Sequence, residues 1–171
     1  AKEIALAASL GFNSIRFFVP FYLWRVQHDS FMKNFEELLA LLDRYHMTMM
    51  PTLFNDCCVA KSKYKDPVLG PQPDPVPGYF GGTAVTPFDD DTQNGDTVGY
   101  DITDEPEMEP VVEAYVRELA RVYGQDKRIL IWNIWNEAGN SQRMEKSVPL
   151  MRKVFGWMRE EDVMQPLTAD V

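Results

Sequence analysis

The chain has 171 residues, 45% of them hydrophobic and 25% charged, with a formal net charge of −9. That length suffices for one domain with a sizeable core. The acidic balance argues against nucleic acid or an anionic membrane surface as a partner, because phosphate binding needs a basic face. No apolar run reaches the ~18 residues of a membrane span, and the first residues read as a helix rather than as a signal peptide.

Taken in chain order, residues 2–10 predict a short helix stopped by Gly11, and residues 14–19 predict a strand punctuated by Pro20. Phe31, Phe35, Leu38, Leu39, Leu42 and Tyr45 recur every three or four residues, the stripe of an amphipathic helix. Residues 47–53 are the next strand. Asp104 and Glu107 resemble a capping box ahead of a second stripe, Val111, Val112, Tyr115, Leu119 and Val122. Residues 129–134 form a nearly continuous apolar run, the pattern of a strand covered on both faces, which ends at Asn136-Glu137. A helix over 148–161 and a strand over 166–171 follow.

Alternating helices and strands imply a parallel sheet with right-handed crossovers, an α/β fold. An open doubly wound sheet usually announces a ligand with a glycine-rich first turn, and neither GxGxxG nor a P-loop occurs. A (β/α)8 TIM barrel is the expected architecture. A full barrel takes about 250 residues, so residues 1–171 are expected to form a single, partial barrel domain running from the first barrel helix to the start of the fifth strand. One long βα connection, at about 54–103, interrupts the rhythm. It is rich in proline and glycine and carries Tyr79, Phe80, Phe88 and Tyr100, as expected of a wall over the C-terminal ends of the strands.

In a parallel α/β fold those C-terminal ends are where chemistry gathers. Glu137, just past a buried strand, is costly unless solvated, paired or used. Beside the apolar ring of Trp135 its carboxyl would titrate high, which suits a general acid. Asn136 can share a site with Glu137 only if the strand ends or bulges there, since strict alternation would point them apart. Arg16 interrupts an apolar strand and needs a carboxylate partner, either as a structural ion pair or to position a catalytic group. Asn55 and Asp56 follow the neighbouring strand and could bind substrate or serve the turn. Trp24, expected in a loop, is the best candidate for stacking on a sugar ring, with Trp135 a second.

His28 and His46 are too few and ill-spaced for a metal site, and Asp89, Asp90 and Asp91 read as a solvated run, so no metal or cofactor is expected. No GxSxG elbow is present. Cys57 and Cys58 are the only cysteines and are adjacent, which excludes spaced disulfides. Free thiols and a strained vicinal disulfide both stay open.

The set Asn13-Ser-Ile-Arg16, Pro51-Thr-Leu-Phe-Asn-Asp56 and Ile134-Trp-Asn136-Glu137 resembles the (β/α)8 retaining glycoside hydrolases. Family 5-like cellulase and β-glycanase domains are the nearest kin, and the resemblance covers nearly the whole chain. It implies hydrolysis of a β-linked poly- or oligosaccharide without a cofactor. Glu137 would be the acid/base, Asn136 would bond the sugar 2-hydroxyl, and Arg16 would hold the nucleophile. Ala138 stands where proline often follows the glutamate. The larger departure is that the family's nucleophile, a glutamate after the seventh strand, has no counterpart here. The chain is thus expected to carry the acid/base half of a site, with a C-terminal half-barrel or a second copy as partner. A non-catalytic carbohydrate-binding half-barrel is the alternative. The family makes secretion or a periplasmic location plausible, and the sequence itself does not assign one.

Overall fold

The computed structural model describes residues 1–56, 58–60, 66, 69–71, 97–99, 105–140 and 143–170. Its main sheet has four parallel strands: β1 (Ser14–Phe18), β2 (Thr48–Asn55), β5 (Trp132–Asn136) and β6 (Leu167–Thr168). Their order across the sheet is their order along the chain. Between successive strands lie helices α3 (His28–Arg44), α4 (Glu109–Tyr123) and α5 (Met144–Glu160), as parallel pairing requires. Helix α1 (Lys2–Ser9) precedes the sheet, and a short α2 (Phe21–Val26) follows β1. Two three-residue strands, β3 (Cys58–Ala60) and β4 (Thr97–Gly99), pair with each other antiparallel.

Most of the expected stripe residues lie on the faces these helices bury, but Tyr45 and Val122, expected among them, are exposed. Helix α3 buries Phe31, Phe35, Leu39 and Leu42; α4 buries Val112, Tyr115, Val116, Leu119 and Tyr123; α5 buries Leu150, Val154, Trp157 and Met158. Strand β5 contributes Trp132, Ile134 and Trp135, all essentially inaccessible. Each such side chain stabilises the fold by roughly 1.5–3 kcal/mol as an upper estimate. Two polar anchors fix the layers. Tyr115 donates from Oη to the Val19 carbonyl at 2.9 Å, tying α4 to the end of β1. Buried Gln165 accepts from Trp132 Nε1 at 3.1 Å and donates to the Asp126 carbonyl at 2.8 Å, which seats the start of β6 against β5.

Several expectations change. The apolar run 129–134 enters the sheet late: Ile129 makes one isolated bridge to Met49, and the ladder resumes only at Trp132 and runs on to Asn136. Helix α5 begins at Met144, ahead of the expected 148, and carries Pro149 inside it as its sixth residue, where the ring removes one i→i−4 hydrogen bond. Helix α2 was expected as loop; its six residues are too few to show a period. A 3-10 turn, Pro106–Met108, leads into α4. The Asp104 cap, the Cys57 thiol and most of the connection at 54–103, including its four aromatics and Asp89, Asp90 and Asp91, lie outside the described residues. Among the described residues no helix is long and apolar enough to cross a membrane.

Candidate active site

Because the strands are parallel, their C-terminal ends share one edge of the sheet. The ladder continues a little past them: the Asp56 amide donates to the Asn136 carbonyl at 3.0 Å, and the Asp170 amide to the Trp135 carbonyl at 2.9 Å. Asn55-Asp56, Asn136-Glu137 and Asp170 are thereby aligned side by side. Arg16 reaches this row from β1. Its Nε donates to Thr52 Oγ1 at 3.0 Å, and one Nη2 donates both to Asn136 Oδ1 at 2.8 Å and to Asp170 Oδ2. The same carboxylate oxygen accepts from Asn133 Nδ2 at 2.8 Å. The carboxylate partner expected for Arg16 is therefore Asp170. The guanidinium is not enclosed, since 37% of the side chain is exposed, and it also lies 5.2 Å from the Phe18 ring centroid.

Asn136 is gripped at both ends of its amide. Arginine offers only donors, so the carbonyl oxygen must face Arg16. The Nδ2 then points away and donates to Asn55 Oδ1 at 2.7 Å. Asn55 thus serves this amide, a role apart from the two expected for it, the turn and substrate contact. Among the described residues no further partner meets the second Nδ2 hydrogen of Asn136 or the second lone pair on its Oδ1.

Glu137 takes φ +53°, one of three non-glycine residues with positive φ among the described residues. This is the break in strand geometry that lets consecutive residues serve one edge. It costs an L-residue roughly 1 kcal/mol, and such outliers gather at functional sites. Its side chain is exposed, and Oε2 accepts from Asn140 Nδ2 at 2.7 Å. Trp135, expected to flank this carboxyl or stack on a sugar, is 1% exposed, with its ring 4.8 Å from Phe54. It is a core residue with no exposed face, so the expectation that it stacks on a sugar is corrected.

The turn bearing Glu137 is held from beneath. Asp56 is 0% exposed; its Oδ2 accepts from the Gly139 amide at 2.7 Å and its Oδ1 from Arg143 Nε at 3.2 Å. Ser147 Oγ also lies 3.1 Å from that amide and donates to the Arg143 carbonyl at 3.1 Å. Gly139 has φ +90°, a backbone conformation that strains any residue with a side chain, so glycine suits this turn. Of the two roles open for Asp56, the structure assigns the turn: no ligand can reach a carboxylate so covered.

Trp24 lies in α2 and not in a loop. Its Nε1 donates to Glu118 Oε2 at 2.6 Å, and its ring packs on Phe21, Tyr115 and His28. That cluster ties α2 to α4, and none of its described contacts reaches the Arg16 network. Sequence reasoning missed Asn133, Arg143, Ser147 and Asp170. A signal existed for Asp170, an acidic residue closing a strand-like run, as Glu137 does. Among the described residues no group of three or more His, Cys, Asp and Glu could hold a metal. No family model matches this chain, and no curated protein matches it.

Proposed function

We propose that this chain is part of a (β/α)8 retaining glycoside hydrolase acting on a β-linked poly- or oligosaccharide, and that it carries the acid/base half of the site. The sheet order supports the barrel, since a doubly wound sheet reverses direction at a switch point and this one does not across its four strands. The observation that carries the function is the edge where Arg16 bonds Asn136 beside an exposed Glu137 with positive φ.

In this reading Asn136 meets the sugar 2-hydroxyl with its remaining Nδ2 hydrogen. Glu137, protonated, gives its proton to the glycosidic oxygen as that bond breaks, then as carboxylate takes a proton from the attacking water. The retaining route also needs a second carboxyl ~5–5.5 Å from the first, flanking the anomeric carbon. Asp56 is buried, and Asp170 lies just past β6 with its Oδ2 accepting from both Arg16 and Asn133. No carboxylate among the described residues takes that place, and in this reading the nucleophile comes from a C-terminal half-barrel or from a second copy.

The test is turnover of 4-nitrophenyl β-glycosides by this chain alone and by the protein in its natural reading-frame context. A general acid alone contributes typically 10²–10⁴-fold, so the chain by itself should show no enzymatic rate, while the protein in its full context should. Substantial turnover by the isolated monomer that survives Glu137→Ala would contradict the assignment. Binding of oligosaccharides without turnover in either form would favour a carbohydrate-binding module.

A further inference from the structure

Asp170 has no role in the reading above, yet its Oδ2 accepts from both Arg16 Nη2 and Asn133 Nδ2. We propose that Asp170 is a positioning residue: it anchors Arg16 and thereby holds the Asn136 amide in the one orientation that offers Nδ2 to a sugar 2-hydroxyl. The inference rests on the proposed glycosidase site for its ligand, but its geometry stands apart from that reading.

The argument follows from donor and acceptor inventories. A free asparagine amide can turn over and present oxygen or nitrogen alike. Here the guanidinium fixes it, because a group with five N–H donors and no acceptor can meet only Oδ1. Arg16 is half-exposed, on a long stem with several rotors, and needs anchoring in turn. Thr52 Oγ1 holds Nε, a neutral bond; Asp170 holds Nη2, the nitrogen that also meets Asn136, through a charge-assisted one. Asn133, fully buried in β5, keeps the carboxylate oxygen in place. The relay thus runs Asn133, Asp170, Arg16, Asn136, Asn55 and draws on β1, β2, β5 and the segment just past β6.

The experiment uses the ¹⁵N-labelled 171-residue chain, with wild type, Asp170→Asn and Asp170→Ala compared by their Asn136 Nδ2 signals, assigned through Asn136→Asp. Both variants should shift those signals and speed their exchange with water, while the Gly139 amide, bonded to buried Asp56, stays put. Unchanged Asn136 signals in a folded variant would overturn the proposal. The ligand arm titrates 4-nitrophenyl β-glucoside and its 2-deoxy counterpart. Wild type should favour the 2-hydroxy sugar by about tenfold, the scale of one hydrogen bond to a polar group, and Asp170→Asn should lose that preference. An equal preference in both proteins would also overturn the proposal. If neither sugar binds wild type while the Asn136 signals still respond to Asp170, the relay holds and the glycosidase reading fails. A 2-deoxy-2-fluoro glycoside that labels Asp170 covalently in the active protein would make it a nucleophile and refute the positioning role.

Discussion

Two aspartates at the same edge of the sheet each meet an arginine, in opposite surroundings. Asp56 and Arg143 are 1% and 0% exposed and brace the turn under Glu137; Asp170 and Arg16 are 45% and 37% exposed and reach the row of amides. Burial decides what each pair can do. A buried pair has lost its water, so removing one partner leaves a charge with nothing to solvate it. An exposed pair exchanges with water at little net cost, and its value lies in direction rather than stability. One pair holds the backbone, and the other aims a side chain.

The sharpest way to break that contrast is Asp56→Ala, which should cost about 3–5 kcal/mol by urea unfolding and disorder the turn at Gly139. A loss under ~1 kcal/mol would put both pairs in one class. Glu137→Gly comes next. Glycine accepts φ +53° without the roughly 1 kcal/mol penalty, though its looser unfolded chain takes back a similar amount. Stability should stay level or rise by up to about 1 kcal/mol; a clear fall would mean that the bond from Asn140 outweighs the backbone strain. Asp170→Asn should then change stability by less than about 1 kcal/mol while altering the Asn136 signals.

The smallest effect lies outside both pairs. Hydrogen bonds to Glu118, and then to Asp29, raise the pKa of His28 above its ordinary 6.5. A raised value means that the charged form stabilises the fold fully below 6.5, and that this help is lost as pH rises through the higher folded value. The melting-temperature gap between wild type and His28→Gln should therefore be wider at about pH 5 than at about pH 8. An equal gap would remove any charge contribution from the α3–α4 tie between His28 and Glu118.

Much of the scaffold was legible because burial imposes a period. Phe31, Phe35, Leu39 and Leu42 mark α3 as surely in the sequence as in the core. Glu137 and Arg16 stood out as charges breaking apolar runs. What escaped was partnership across distance. Arg16 finds Asp170 154 residues away, and Arg143 finds Asp56 at a separation of 87; no local pattern encodes either. Trp24 and Trp135 misled because tryptophan suits a sugar platform and a core equally, and only packing against Tyr115 and Phe54 decides. The entry of β5 was misplaced for the same reason, since Ile129 and Leu130 are apolar but only the ladder shows where pairing begins.

General acid catalysis by Glu137 is the claim on which the functional account turns, and leaving-group dependence tests it most directly. In the protein expressed in its natural reading-frame context, Glu137→Gln should slow cleavage of a methyl β-glycoside by 10²–10⁴-fold, the typical contribution of a general acid. Formation of the glycosyl-enzyme from the 2,4-dinitrophenyl glycoside, whose leaving group needs no proton, should slow far less. Equal losses on the two substrates, or no loss on either, would contradict the assignment of Glu137.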